Sequence, residues 1–293
     1  MSSLWHWFVI FGTLASLAIF LVLLFNNRKT SGEATTGHEW DGIQEYDNPL
    51  PMWWVWMFVI SIVFALGYLA WYPGLGNFGG ISDWSSAGEV RRAQEAHEAR
   101  FAPLYEELAS LDEAALHDSR QAMQVGRRLF INNCSTCHGV NGRGAFGFPN
   151  LTDSEWIWGA GFGNVKTALT NGRQAAMPSW QAALGDQGVL DVTQFVLSLS
   201  GSEHDAAAAA RGQSQYQTFC VACHGAEGKG NPALGSPDLT NDIWLYGGTA
   251  ERIAYTLRNG RNGNMPAFSD VLSADQIHVL AGYVTSLSKE EAQ

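Results

Sequence analysis

Two long apolar runs open the chain. Leu4 to Phe25 is almost unbroken, with His6 as its only strongly polar interruption, and Met52 to Tyr72 follows after a polar stretch. At about 1.5 Å per residue the first run reaches roughly 33 Å as a helix, enough to cross a hydrocarbon core of ~30 Å. The second opens with Trp53, Trp54 and Trp56 and closes with Trp71 and Tyr72, the aromatic edges that membrane interfaces select. A cleaved leader is the competing reading of the first run. It is disfavoured because no Lys or Arg precedes the run and Asn26, Asn27, Arg28 and Lys29 follow it in place of small residues. The pattern predicts a first transmembrane helix within 1–30, a loop at 31–50 and a second transmembrane helix at 51–73. Arg28 and Lys29 place the loop in the cytoplasm and both termini in the periplasm, because acidic residues such as Glu33, Asp41, Glu45 and Asp47 count for little in that rule.

Beyond the apolar runs, residues 74–119 are charged and Ala/Glu-rich and predict a solvated helical connector, with a helix over Gly88 to Glu107. His97 and His117 read as exposed helix residues. The remainder repeats itself at an almost constant offset of 88 residues. Pro149-Asn150-Leu151-Thr152 recurs as Pro237-Asp238-Leu239-Thr240, Trp156 as Trp244, Asn171-Gly172-Arg173 as Asn259-Gly260-Arg261, Met177-Pro178 as Met265-Pro266, and Phe195-Val196 as Tyr283-Val284. Two homologous domains follow, at 120–201 and 206–290, joined by an Ala-rich linker over Asp205 to Ala210. Each predicts a first helix, a Gly-rich stretch, a middle helix at Val165–Thr170 or Glu251–Arg258, and a terminal amphipathic helix at Val189–Leu199 or Ala274–Leu287. No alternating strand pattern intervenes, so the fold class is all-α.

The chemistry sits in the cysteines. All four fall in two CxxCH strings, Cys134-Ser135-Thr136-Cys137-His138 and Cys220-Val221-Ala222-Cys223-His224, which leaves none for a disulfide. In such a string two thiols add across the haem vinyl groups and the histidine ligates the iron from one face. Zinc is the alternative, but zinc ribbons space their CxxC pairs by about 15–20 residues, far less than the 86 found here. Two covalently bound haem c groups are therefore expected. The opposite face of each iron needs a ligand, and Met177 and Met265 stand before proline at matching repeat positions, 39 and 41 residues after His138 and His224. Methionine there favours the reduced iron. Met123 lacks a counterpart in the repeat and reads as packing. Pro149 and Pro237 are expected to bring a carbonyl to the proximal histidine, and Trp156, Trp244, Phe195 and Tyr283 to pack the pocket. Arg173 and Arg261 suit either haem propionates or exposed sites.

Composition narrows the partners. A formal net charge of -11 over 293 residues excludes nucleic acid as the main partner, because phosphates need basic patches, and favours a basic protein. Two matched methionines disfavour a dihaem peroxidase or a ligand-sensing module, either of which needs an open iron.

On CxxCH, Pro-Asx-Leu and Met-Pro, each domain resembles class I cytochromes c. With Tyr46-Asp47-Asn48-Pro49-Leu50-Pro51-Met52-Trp53-Trp54 and Tyr72-Pro73-Gly74-Leu75-Gly76-Asn77, nearly the whole chain resembles the dihaem subunit III of cbb3-type cytochrome c oxidases. Met52 departs from the basic residue expected there. These flanks disfavour the dihaem subunit of another respiratory or dehydrogenase complex. The resemblance implies an electron-transfer subunit, not an enzyme by itself, in the bacterial inner membrane with its haem domains on the periplasmic side. It implies a donor cytochrome c, a monohaem cytochrome subunit and a catalytic, proton-pumping haem-copper subunit as partners. It also implies that the methionine of one domain can serve the haem of the other, so the pairing of Met177 and Met265 with the two irons stays open.

Overall fold

The computed structural model describes residues 2–28 and 34–290; Lys29 and Glu33, which enter the loop-charge expectation, lie outside them. The chain divides into two compact units, Met1–Arg100 and Phe101–Gln293.

In the first unit, α1 (Ser3–Asn26) and α2 (Met52–Trp71) are apolar on every side and long enough to cross a membrane, about 36 and 30 Å at helical rise. Their bulky side chains, Phe8, Phe11, Phe20 and Phe64 among them, stay exposed within the chain, as expected where lipid is the solvent. His6 accepts a hydrogen bond at Nδ1 from the Asn77 backbone N–H at 2.8 Å, which fastens the start of α1 to the turn following α2. Between the helices the expected 31–50 loop contains a hairpin, β1 (Thr35–Trp40) and β2 (Ile43–Tyr46). Asp41 and Gly42 both take positive φ, 49° and 82°, which is what a two-residue turn with the right twist requires. α3 (Ser86–Ala109) begins in this unit and continues into the second, with Pro103 inside it.

The second unit continues with α4 (Glu113–Asp118), α5 (Arg120–Asn133), α6 (Ser135–His138), α7 (Phe162–Asn171), β3 (Arg173–Met177), α8 (Gln181–Leu199), α9 (Ala206–Phe219), α10 (Val221–His224), α11 (Ala250–Asn259), β4 (Arg261–Met265) and α12 (Ala274–Glu290). Asp112, Ser119, Asp205 and Thr249 each cap a helix by accepting a backbone N–H from its first turn. The alanine run expected as a linker is thus helical: Asp205 caps it, and Ala208 and Ala209 are buried. Gly185 takes φ 64° and kinks α8.

Two strands correct the all-helical reading of this unit. β3 and β4 pair antiparallel, with Arg173 opposite Met265, Ala175 opposite Gly263 and Met177 opposite Arg261. The ladder joins the two copies of the repeat, so neither copy's sequence carries it alone. A second correction concerns His117. Its side chain is only 14% exposed, and its Nε2 lies 3.0 Å from the Gly282 carbonyl and 3.1 Å from the Thr285 hydroxyl, fixing α4 to α12. His97 is exposed as expected.

The core is crossed relative to chain order. α8 packs on α9 and α11, whereas α12 packs on α5 and α7. One core joins Val189, Val192 and Phe195 of α8 to Tyr216 and Cys220 of the following copy and to Ile253 and Leu257 of α11. The other joins Ile277, Leu280 and Val284 of α12 to Phe130 and Cys134 and to Val165 and Leu169 of α7. Each fully buried aliphatic side chain contributes about 1.5–3 kcal/mol. Paired glycines allow the crossings. A Cβ on Gly126 of α5 would lie 2.5 Å from the Tyr283 Cβ, and one on Gly212 of α9 would lie 2.1 Å from the Asp191 carbonyl oxygen. Six residues separate α8 from α9, and a connection that short holds consecutive elements side by side. Met123 packs beside Leu108, Leu116 and Val279.

Candidate haem-binding site

Each CxxCH string forms one tight turn at the end of a helix. The His138 N–H donates to the Cys134 carbonyl at 2.9 Å, and the His224 N–H to the Cys220 carbonyl at 2.9 Å. Gly139 and Gly225 end the turns with φ 77° in both copies. The first cysteine of each pair is buried and the second exposed.

The proximal histidines are oriented as expected. His138 Nδ1 lies 2.9 Å from the Pro149 carbonyl and His224 Nδ1 lies 3.2 Å from the Pro237 carbonyl. A carbonyl only accepts, so Nδ1 carries the proton and Nε2 keeps its lone pair as a metal ligand. Burial lowers the pKa of both rings and so favours their neutral form, against a smaller opposing contribution from those carbonyl contacts. Burial likewise pushes the Cys134 and Cys220 thiols up to about 11, each helped by its neighbouring cysteine. The Asx residues shared by the two copies have a local role: Asn150 and Asp238 accept the N–H of Thr152 and Thr240 at 2.9 and 2.7 Å. Those turns hold the proline carbonyls in place, and Leu151 and Leu239 tie them back to Gly142 and Gly228 at 2.7 Å each.

Met265 packs against the core that contains Cys134, and Met177 against the core that contains Cys220. Gly172 and Gly260 lock this arrangement: a Cβ on Gly172 would lie 2.5 Å from the Met265 carbonyl oxygen, and one on Gly260 would lie 2.5 Å from that of Met177. Trp156 packs in the Cys134 core and Trp244 in the Cys220 core. Phe195 packs at a tilt on Tyr216 at 5.0 Å between ring centroids, and Tyr283 on Phe130 at 5.6 Å, so both belong to the interhelical cores.

Arg173 and Arg261 are half-buried at the ends of the β3–β4 ladder. Residues that the sequence reading left out surround them: Trp158 beside Arg173, and Phe146, Tyr246 and Tyr255 beside Arg261. Trp158 and Tyr246 fall at the repeat offset, a signal that could have found them.

Paired thiols, an imidazole with a free Nε2 and a thioether form a donor set that suits haem c, and the buried side-chain nitrogens of Arg173 and Arg261 that find no acceptor suit its carboxylates. Among the described residues no three His, Cys, Asp or Glu side chains converge as a zinc site would need.

Two CxxCH turns with matching hydrogen bonds and histidine–proline contacts, on a chain with two apolar helices, define a membrane-anchored c-type cytochrome. The comparisons narrow this further. Residues 121–196 and 207–284 match the family described as cytochrome c oxidase, cbb3-type, subunit III, and residues 32–79 match the N-terminal domain of cytochrome oxidase-cbb3, FixP. The chain is similar to the cbb3-type cytochrome c oxidase subunit CcoP of Rubrivivax gelatinosus, 45% identical over 98% of this chain and 96% of the relative. It is also similar to the FixP subunit of Azorhizobium caulinodans, 39% identical over 87% of this chain and 93% of the relative, and to the CcoP subunit of Cereibacter sphaeroides, 36% over 90% and 98%. The chain belongs to the CcoP/FixP family of cbb3-type oxidase subunits, electron-transfer cytochromes that bind haem c.

Proposed function

We propose that the chain carries two covalently bound haem c groups, one on Cys134, Cys137 and His138 and one on Cys220, Cys223 and His224, within haem domains at 120–201 and 206–290. Met265 would supply the second protein ligand to the iron held by His138, and Met177 to the iron held by His224. The single observation that carries this pairing is the placement of Met265 in the Cys134 core and Met177 in the Cys220 core. When bound, each haem supplies a reversible one-electron couple. The chain's own groups orient the histidine through a proline carbonyl and would offer a thioether as the second ligand.

On this reading the subunit takes electrons from a donor cytochrome c and passes them, through a monohaem cytochrome subunit, to the catalytic haem-copper subunit of a proton-pumping oxidase. α1 and α2 both span the bacterial inner membrane, with the 31–50 loop cytoplasmic, the 74–119 connector periplasmic and the haem domains on the periplasmic side. The family membership and two helices of spanning length support that placement.

The test is mass spectrometry of the detergent-solubilised complex purified through this chain, with a haem count per chain. Two haems on this subunit, co-purifying with a haem-copper subunit and a monohaem cytochrome, are expected. One haem, or co-purification with a dehydrogenase in place of the oxidase, would overturn the proposal.

A further inference from the structure

The β3–β4 ladder has one half-buried face. On β3 it carries Arg173, Ala175 and Met177, and on β4 Arg261, Gly263 and Met265, while the residues between them are exposed. Because Arg173 pairs with Met265 and Arg261 with Met177, each end presents an arginine beside the other copy's methionine. The ends lie about 13 Å apart at strand rise.

Both guanidinium groups are fixed. Arg173 stacks over Trp158 at 5.0 Å, with Nη2 reaching the Asn164 carbonyl at 3.4 Å. Arg261 donates from Nε to the Thr256 hydroxyl at 2.9 Å and stacks over Tyr246 at 4.3 Å and Tyr255 at 4.8 Å. Trp158 and Asn164 belong to the half of the repeat that carries His138; Tyr246, Tyr255 and Thr256 belong to the half that carries His224. Yet Arg173 Nε and Arg261 Nη2 are buried and find no acceptor among the described residues. Among the described residues no carboxylate lies within ion-pair range of either group. A guanidinium cannot shed its proton, so a buried donor of this kind calls for a further acceptor, and an anion suits it best because it also balances the charge.

We infer that Arg173 anchors a carboxylate of the haem held by His138, and that Arg261 anchors a carboxylate of the haem held by His224. This rests on the haem reading above. The consequence is an asymmetry of pairing: arginines act within their own copy, methionines act across copies, and the ladder holds both haems at one fixed separation. A fixed cation beside each haem also favours the reduced iron.

The test uses the intact oxidase complex with Arg173→Gln, Arg261→Gln and the corresponding Lys variants. Haem content, the weak red-end absorption of methionine-ligated ferric haem, and the potential of each c haem as a function of pH are measured. Each Gln variant should keep both haems and that absorption, while the reduction equilibrium of one haem falls about tenfold, equivalent to about 59 mV for one electron. That haem's potential should also fall as pH rises through the range where the released carboxylate titrates, and Lys should restore most of the loss. Unchanged potentials, or equal shifts at both haems, would overturn the inference. Loss of the methionine absorption would overturn it too, by making the arginines supports of the ladder. A wild-type chain without covalent haem would overturn the haem reading and this inference with it.

Discussion

Replacing Gly172 by Ala places one methyl group where the two copies meet. Gly172 takes φ 69° and ψ -177°, a region essentially reserved for glycine, so a side chain there costs about 1–3 kcal/mol in backbone strain. The new Cβ would also lie 2.5 Å from the Met265 carbonyl oxygen and 2.8 Å from the Ala267 nitrogen. Ordinary contact begins near 3.4 Å, so the Met265 strand must retreat by about 0.9 Å. Overpacking of this kind costs about 1–3 kcal/mol more. The sum, roughly 2–6 kcal/mol, is a large share of a typical domain stability of about 5–15 kcal/mol. The displaced group is the proposed ligand of the iron held by His138, so that iron should open while the other stays six-coordinate. Gly260→Ala is the mirror experiment, since its Cβ would lie 2.5 Å from the Met177 carbonyl oxygen. The assay is the red-end methionine absorption, followed by peroxide treatment and mass spectrometry to locate oxidised peptides around the open iron. Gly172→Ala should halve the absorption and mark peptides near His138; Gly260→Ala should mark those near His224. Unchanged absorption and unfolding temperature in both variants, or marks at the opposite histidines, would refute the reasoning.

Other consequences follow from the crossed cores. Leu280→Ala, at a fully buried α12 position, should lower the unfolding free energy by about 2–5 kcal/mol. Denaturant titration should show the loss at the pocket of Cys134, not at that of Cys220. Asp191 of α8 is held by Arg211 of α9 through contacts of 2.7 and 3.1 Å, and hydrogen bonding from Arg211 keeps its carboxyl below the ordinary range. That stabilisation is complete above the unfolded carboxyl value of about 3.9 and is lost as pH falls through the lower folded value. Asp191→Asn should therefore weaken the protein at neutral pH, with a deficit that vanishes on acidification, measured as unfolding temperature against pH. Tyr216 is fully buried, donates to the Gly225 carbonyl at 2.9 Å, and has its phenol pushed up to about 12 by burial. Ultraviolet titration should find one tyrosine that resists ionisation up to that pH, and Tyr216→Phe should remove it.

Much of this was legible in the sequence, because haem attachment needs a local string and membrane helices need a long apolar run. Cys134 to His138, Cys220 to His224 and the proline carbonyls lie close to their partners along the chain, so spacing alone locates them. The β3–β4 ladder was not legible: Arg173 to Met177 and Arg261 to Met265 are five residues each, without apolar alternation, and become strands only against one another. The crossing was hidden for a related reason, since two similar copies offer similar partners to each terminal helix. Apart from the exchange of methionines that the family resemblance implies, its trace is the short connection between Leu199 and Ala206, which keeps α8 beside α9. The Asp41-Gly42 turn was readable as a hairpin signal, whereas the burial of His117 depends on α12, more than 160 residues away.

The most direct test of the crossed arrangement is an experimental structure of the haem-loaded subunit within its complex, at a resolution that places the sixth ligand of each iron. The account predicts Met265 Sδ on the iron held by His138 and Met177 Sδ on the iron held by His224. Met177 on the iron of His138, with Met265 on that of His224, would contradict it.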